Sequence, residues 1–110
     1  MSVDLPKPIA TYFAADTADS EAVAQCFTLD GVVKDEGHTY HGLAEIKRWK
    51  AEASTKYAYT SEPFASERQG AMTVVTSRLT GNFPGSPVDL RYFFCLEGDK
   101  IVSLEILGYT

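Results

Sequence analysis

The chain has 110 residues, 45% of them hydrophobic and 23% charged, with a formal net charge of -5. This describes one globular domain, residues 1–110, long enough to bury a core without metal or disulfide support. The acidic balance speaks against nucleic acid or an anionic membrane as partner, since both need clustered lysine and arginine. No run reaches bilayer-spanning length and no basic start precedes an apolar stretch at the N-terminus, so a cytoplasmic protein is expected.

Pro6 and Pro8 suit a helix start, and Ile9, Tyr12 and Phe13 follow at roughly helical spacing. Asp19-Ser20-Glu21 opens a second helix running to about Phe27, which Leu29-Asp30-Gly31 then breaks. Val32 to Glu36 reads as a short strand and Gly37 to Gly42 as a turn. Leu43 to Thr55 carries Leu43, Ile46 and Trp49 at amphipathic spacing and forms a third helix. Its Lys47, Arg48 and Lys50 read as a solvated face. From there the composition shifts to Val, Thr, Tyr, Phe and Ile. Strands are expected at Tyr57–Ser66, Ala71–Thr80, Val88–Leu96 and Ile101–Leu107, separated by the turn sequences ERQG, GNFPGSP and EGD. Helices first and hairpin-linked strands after them make an α+β domain whose curved antiparallel sheet could cover a cavity.

The polar residues within apolar elements are the candidates for chemistry. Asp35 shares a strand face with Val33, so it points inward if Val33 does. A carboxylate in an apolar pocket resists ionisation, which suits proton transfer near neutrality. The bland alternative is a strand-end carboxylate bonded to turn amides or paired with Arg91. Arg91 alternates with Phe93 and Cys95 on a strand that reads as buried, so it needs a partner, with Asp35 or Glu105 available. It serves either as a bidentate ligand for a substrate oxyanion or as a structural ion pair. Glu105 becomes a second pocket carboxylate if the Ile101 face is the concave one. Trp49, Tyr57, Phe93 and other aromatics supply apolar surface for a ligand.

His38 and His41 form an HxxH in a loop without companion ligands, so no metal site is expected, and His41 is placed at the cavity rim. No GxSxG is present, and NFPGSP lacks phosphate-loop spacing and a following helix, so no cofactor is called for. Cys26 and Cys95, far apart in sequence and both in apolar segments, read as buried free thiols of a reducing compartment.

Three stretches, ATYFAADTADSEAVAQCF, LDGVVKDEGHTYHGLAEIKRW and DLRYFFCLEGDKIVSLEIL, resemble the nuclear transport factor 2-like superfamily in its SnoaL-like and ketosteroid isomerase-like branch. With the strands between them, the resemblance covers nearly the whole chain. It implies a cone-shaped fold: three N-terminal helices packed on a strongly curved antiparallel sheet that encloses a cavity. It further implies Asp35 as general base and Tyr12, on the helical face of Ile9 and Asp16, as a hydrogen-bond donor to an oxyanion. At the third position of the isomerase pattern the family carries an acid, whereas this chain places Arg91 at or beside it. A second carboxylate at Glu105 gives only a loose likeness to the Asp-Arg-Asp arrangement of the superfamily's epoxide hydrolases.

Two readings of function follow. One is a small isomerase- or cyclase-type enzyme acting on an apolar ketone, with Asp35 moving a proton and Tyr12 and Arg91 stabilising the oxyanion. The other is a non-catalytic binding module or dimeric scaffold with the same cavity. A homodimer is expected in both, because the outer sheet face carries Val, Leu, Phe and Tyr that a monomer would leave wet.

Overall fold

The computed structural model describes residues 3–16, 19–56 and 58–108. Helix α1 spans Lys7–Ala15, α2 Ser20–Gln25 and α3 Gly42–Lys56. The strands are β1 Phe27–Asp35, β2 His38–His41, β3 Tyr59–Gln69, β4 Met72–Gly81, β5 Val88–Glu97 and β6 Lys100–Gly108. None of the described helices is long and apolar enough to cross a membrane.

The helix starts follow local chemistry. Pro8 occupies the first turn of α1, where its missing N–H costs nothing, and the Pro6 carbonyl accepts from Ile9 and Ala10. Asp19 caps α2, its carboxylate accepting from the amides of Glu21 and Ala22 at 3.0 and 3.1 Å. Helix α3 presents Ile46, Trp49 and Lys50 inward, the spacing of a buried stripe.

The six strands form one curved, open sheet in the order β2-β1-β6-β5-β4-β3. Four neighbouring pairs are antiparallel, and the pair of β1 with β6, which lie far apart in the chain, is parallel. The sheet is therefore mixed. Register shifts between Pro63 and Ala65 and between Cys95 and Leu96 are bulges of the kind that bend a sheet. Two local expectations change. Leu29-Asp30-Gly31 does not end an element but lies within β1, beside an irregularity between Phe27 and Val32. The polar run after Gly37 is a strand, not only a turn. Asp35 pairs with His38 across a two-residue connection whose Glu36 and Gly37 have φ of 53° and 79°. Positive φ at both positions is the signature of a tight twisted hairpin, and this one leaves Asp35 at the tip of β1.

The core lies between the helices and the inner sheet face. Tyr12, Phe94 and Ile9 are fully buried there, joined by Val33, Ile46, Tyr92, Ile101 and Leu104. Tyr12 meets Phe94 edge-on at 5.5 Å and Phe13 at 5.1 Å. Pairs of this geometry add to the stabilisation from area alone.

Candidate functional site

Strand alternation sets Asp35 on the inward side with Val33, which is fully buried. Trp49 of α3 meets it there, the indole Nε1–H donating to Asp35 Oδ2 at 3.0 Å. Burial pushes the Asp35 carboxyl above its ordinary value; the Trp49 hydrogen bond and the nearby Lys50 charge pull the other way. Tyr40 of β2 packs against the same indole, 6.0 Å between ring centroids.

Directly after Trp49 comes Lys50, which is also inward and only 4% exposed. A buried ammonium requires a partner. Lys50 Nζ donates to Oδ1 of Asp16, the residue that closes α1 and is 2% exposed. Tyr59 of β3 donates a longer hydrogen bond to the same oxygen at 3.5 Å. The ammonium also stands 4.3 Å from the Trp49 ring centre and 5.4 Å from that of Tyr12. Further along the inner face Ser61 and Ser77 share a 2.7 Å hydrogen bond, and Ser61 hydrogen-bonds Tyr92.

Two atoms of this cluster stand apart. Among the described residues, the Tyr12 hydroxyl and Asp16 Oδ2 are buried without a hydrogen-bond partner. Burial, with the charge of Asp16 next, holds the Tyr12 phenol well above its ordinary value, so it is a hydrogen-bond donor at neutral pH. Asp35 contributes to the field at Tyr12, Tyr59 and Tyr92, so the acid and the cluster share one interior. Outside it, an open cleft of about 510 Å³ is lined by Asp35, His38, Leu90, Glu105 and Ile106, among others. Asp35 thus stands between solvent and the buried polar group.

The expected site residues separate into two sets. Tyr12, Asp35 and Trp49 come together inside. Arg91 and Phe93 do not, because Tyr92 and Phe94 take the inner positions of β5 and alternation turns their neighbours outward. Arg91 makes an ion pair with Glu67 at 3.6 Å and lies 5.3 Å from the Phe93 ring centre. Ile101 does face inward, yet Glu105 does not share its side. The bulge opposite Cys95 and Leu96 shifts parity, so Leu104 and Ile106 face inward and Glu105 pairs with Phe93 on the outer face. His41 is exposed, and its backbone amide donates to Glu45 at the start of α3, at 2.8 Å. His38, not His41, is the histidine opposite Asp35. Tyr57 lies outside the described residues.

Lys50, Asp16 and Tyr59 escaped the sequence reading. The signal was the stripe Ile46, Trp49, Lys50, in which Lys50 occupies a core position; Lys47 and Arg48 are the exposed part of that basic run. Of the cysteines, Cys26 is buried and Cys95 half-buried on the outer face, both as free thiols.

A family model described as a SnoaL-like domain matches residues 9–104. The structure of a proposed polyketide cyclase from Sinorhizobium meliloti is 39% identical, with a TM-score of 0.90 over 97% of this chain and 99% of that one. A Catenulispora acidiphila protein with a ketosteroid isomerase-like fold, in complex with trimethylamine, is 23% identical with a TM-score of 0.85, covering 97% and 88% of the two chains. TerC, co-crystallised with polyporic acid, is 18% identical with a TM-score of 0.79 over 93% and 88%. No curated protein matches the sequence.

Proposed function

The chain belongs to the SnoaL-like domain family, and from that premise we propose that it binds a small, largely apolar carbonyl compound and moves a proton next to the carbonyl. One observation carries the reading: Asp35, with its carboxyl raised by burial, is held by Trp49 at the boundary between the cleft and the interior. In this scheme the Asp35 carboxylate takes a proton from the carbon beside the carbonyl. The C–H electron pair moves to the carbonyl oxygen as an enolate, and the new carboxylic acid returns the proton to the same or another carbon. Tyr12, a buried phenol with an unused O–H, donates to the developing oxyanion, and exclusion of water strengthens that contact. The family match and the likeness to a proposed polyketide cyclase support an isomerase- or cyclase-type reaction. Arg91 has no part in it, because it lies on the outer face.

The test is exchange of α-hydrogens for deuterium in a small aryl ketone, followed by proton NMR. Wild type should accelerate the exchange and Asp35→Asn should lose that acceleration while binding the ketone. Equal exchange in the two proteins refutes the role given to Asp35.

A non-catalytic ligand-binding domain is the second reading, favoured by the absence of an acid on the inner face of β5 at the third position of the isomerase pattern. Under it the Asp35→Asn protein behaves as wild type. Both readings include a homodimer in the reducing cytoplasm, formed through the outer sheet face where Phe93 lies and where Leu107 is 48% exposed. Sedimentation at micromolar concentration separates dimer from monomer.

A further inference from the structure

A buried ion pair is poor evidence of a need for stability, since apolar residues of similar volume hold a fold as well or better. The Asp16–Lys50 pair is built more elaborately than stability asks. Lys50 Nζ and the Tyr59 hydroxyl both converge on Asp16 Oδ1, while Oδ2 of the same carboxylate stays buried and without a partner among the described residues. One helical turn earlier on α1, the Tyr12 hydroxyl is in the same condition. An unpaired buried acceptor beside an unpaired buried donor is costly unless something fills both. Their chemistry specifies the filler: a hydrogen-bond donor for Asp16 Oδ2 and an acceptor for Tyr12.

We propose that Asp16, charge-balanced by Lys50, is a recognition residue that selects ligands carrying a hydroxyl adjacent to the carbonyl. The ligand hydroxyl donates to Asp16 Oδ2 and the carbonyl oxygen accepts from Tyr12. The ligand class is therefore the α-hydroxyketone and its enediol tautomer on an apolar body, which would be flanked by Trp49 and the Tyr12–Phe94 aromatic group. Lys50 acts through Asp16: its ammonium balances the carboxylate charge and, by holding Oδ1, fixes which oxygen remains available. This deepens the proton-transfer reading and rests on it only for the location of the ligand.

Trp49 is the single tryptophan of the chain, so its fluorescence reports binding beside Lys50 without a label. The probes are 2-hydroxyacetophenone, its O-methyl ether and acetophenone, titrated in separate experiments. They share the ring and carbonyl and differ in the donor. Wild type should bind the hydroxyketone at least about tenfold more tightly than either analogue, the scale of one buried hydrogen bond. In Asp16→Leu/Lys50→Met, which exchanges the pair for apolar groups and avoids a lone buried charge, the three affinities should converge. A wild-type ratio near one, a ratio that persists in the double variant, or no saturable binding at millimolar concentration overturns the proposal. Deuterium exchange at the α-carbon of the same hydroxyketone keeps the two readings apart. Selective binding without exchange removes proton transfer and leaves recognition; exchange without selectivity does the reverse.

Discussion

Asp16→Leu leaves the Lys50 ammonium buried at 4% exposure without the carboxylate it contacts. Breaking a buried pair from one side costs about 3–5 kcal/mol, because the remaining charge loses its compensation but not its desolvation. At roughly 2.1 cal/mol/K of unfolding entropy per residue, the 110 residues give about 0.23 kcal/mol/K, so the single variant should lose roughly 13–22 °C in Tm. Lys50→Met alone should also destabilise, as it strands Asp16. The double variant Asp16→Leu/Lys50→Met should recover most of the loss and lie within about 1–2 kcal/mol of wild type, or above it. Thermal melts by circular dichroism and urea titrations of all four proteins close the double-mutant cycle. A single variant costing under about 1 kcal/mol, the range of exposed pairs, refutes the burial of this pair. Additive singles would refute the coupling.

Four further outcomes follow from the structure. Asp35 holds its proton more tightly when folded than at its ordinary value of 3.8, so stability should fall as pH rises from that value through the folded one; urea midpoints across acid pH should show this slope in wild type and not in Asp35→Asn. Trp49→Phe removes the hydrogen bond that favours the charged carboxylate and should move the Asp35 titration further up, seen by carboxyl carbon NMR; a downward move would contradict the assigned contact. Gly81→Ala would set a Cβ 2.3 Å from the Ala58 carbonyl oxygen and should cost about 1–3 kcal/mol in urea unfolding, whereas an unchanged midpoint would mean that β3 and β4 do not approach so closely. Arg91→Ala should leave ketone affinity unchanged and cost under about 1 kcal/mol, because its ion pair with Glu67 is partly exposed; a tenfold loss of affinity would return Arg91 to the site.

What the sequence made legible was what local patterning controls. Prolines and Asp19 located the helix starts, and the Val33–Asp35 alternation gave the correct side for the acid. What escaped were features set by tertiary structure. A bulge displaces a strand by one residue without marking the sequence, and that shift is enough to send Glu105 outward although Ile101 faces in. The hairpin at Glu36–Gly37 was missed because its usual markers are Asn-Gly and Asp-Gly, and glutamate at positive φ is rare. Arg91 misled because a strand of aromatics reads as buried on both faces; only Tyr92 and Phe94 are inside. Lys50 misled in the opposite sense, since lysine is normally solvated and only the position of Asp16 makes its burial tolerable.

Helix α3 joins these features into one device. Trp49 and Lys50 are consecutive, both point inward, and each holds a different carboxylate: Trp49 the acid at the cleft, Lys50 the acid at the end of α1. Because 100° of helical rotation separates neighbouring side chains, the two contacts can coexist only over a narrow range of α3 orientations. The Glu45 side chain, bonded to the His41 amide at the start of α3, restricts that orientation from the β2 side. Under the proposed roles, a change in the orientation of α3 would disturb both carboxylates together, so recognition at Asp16 and proton transfer at Asp35 would be coupled through two adjacent residues.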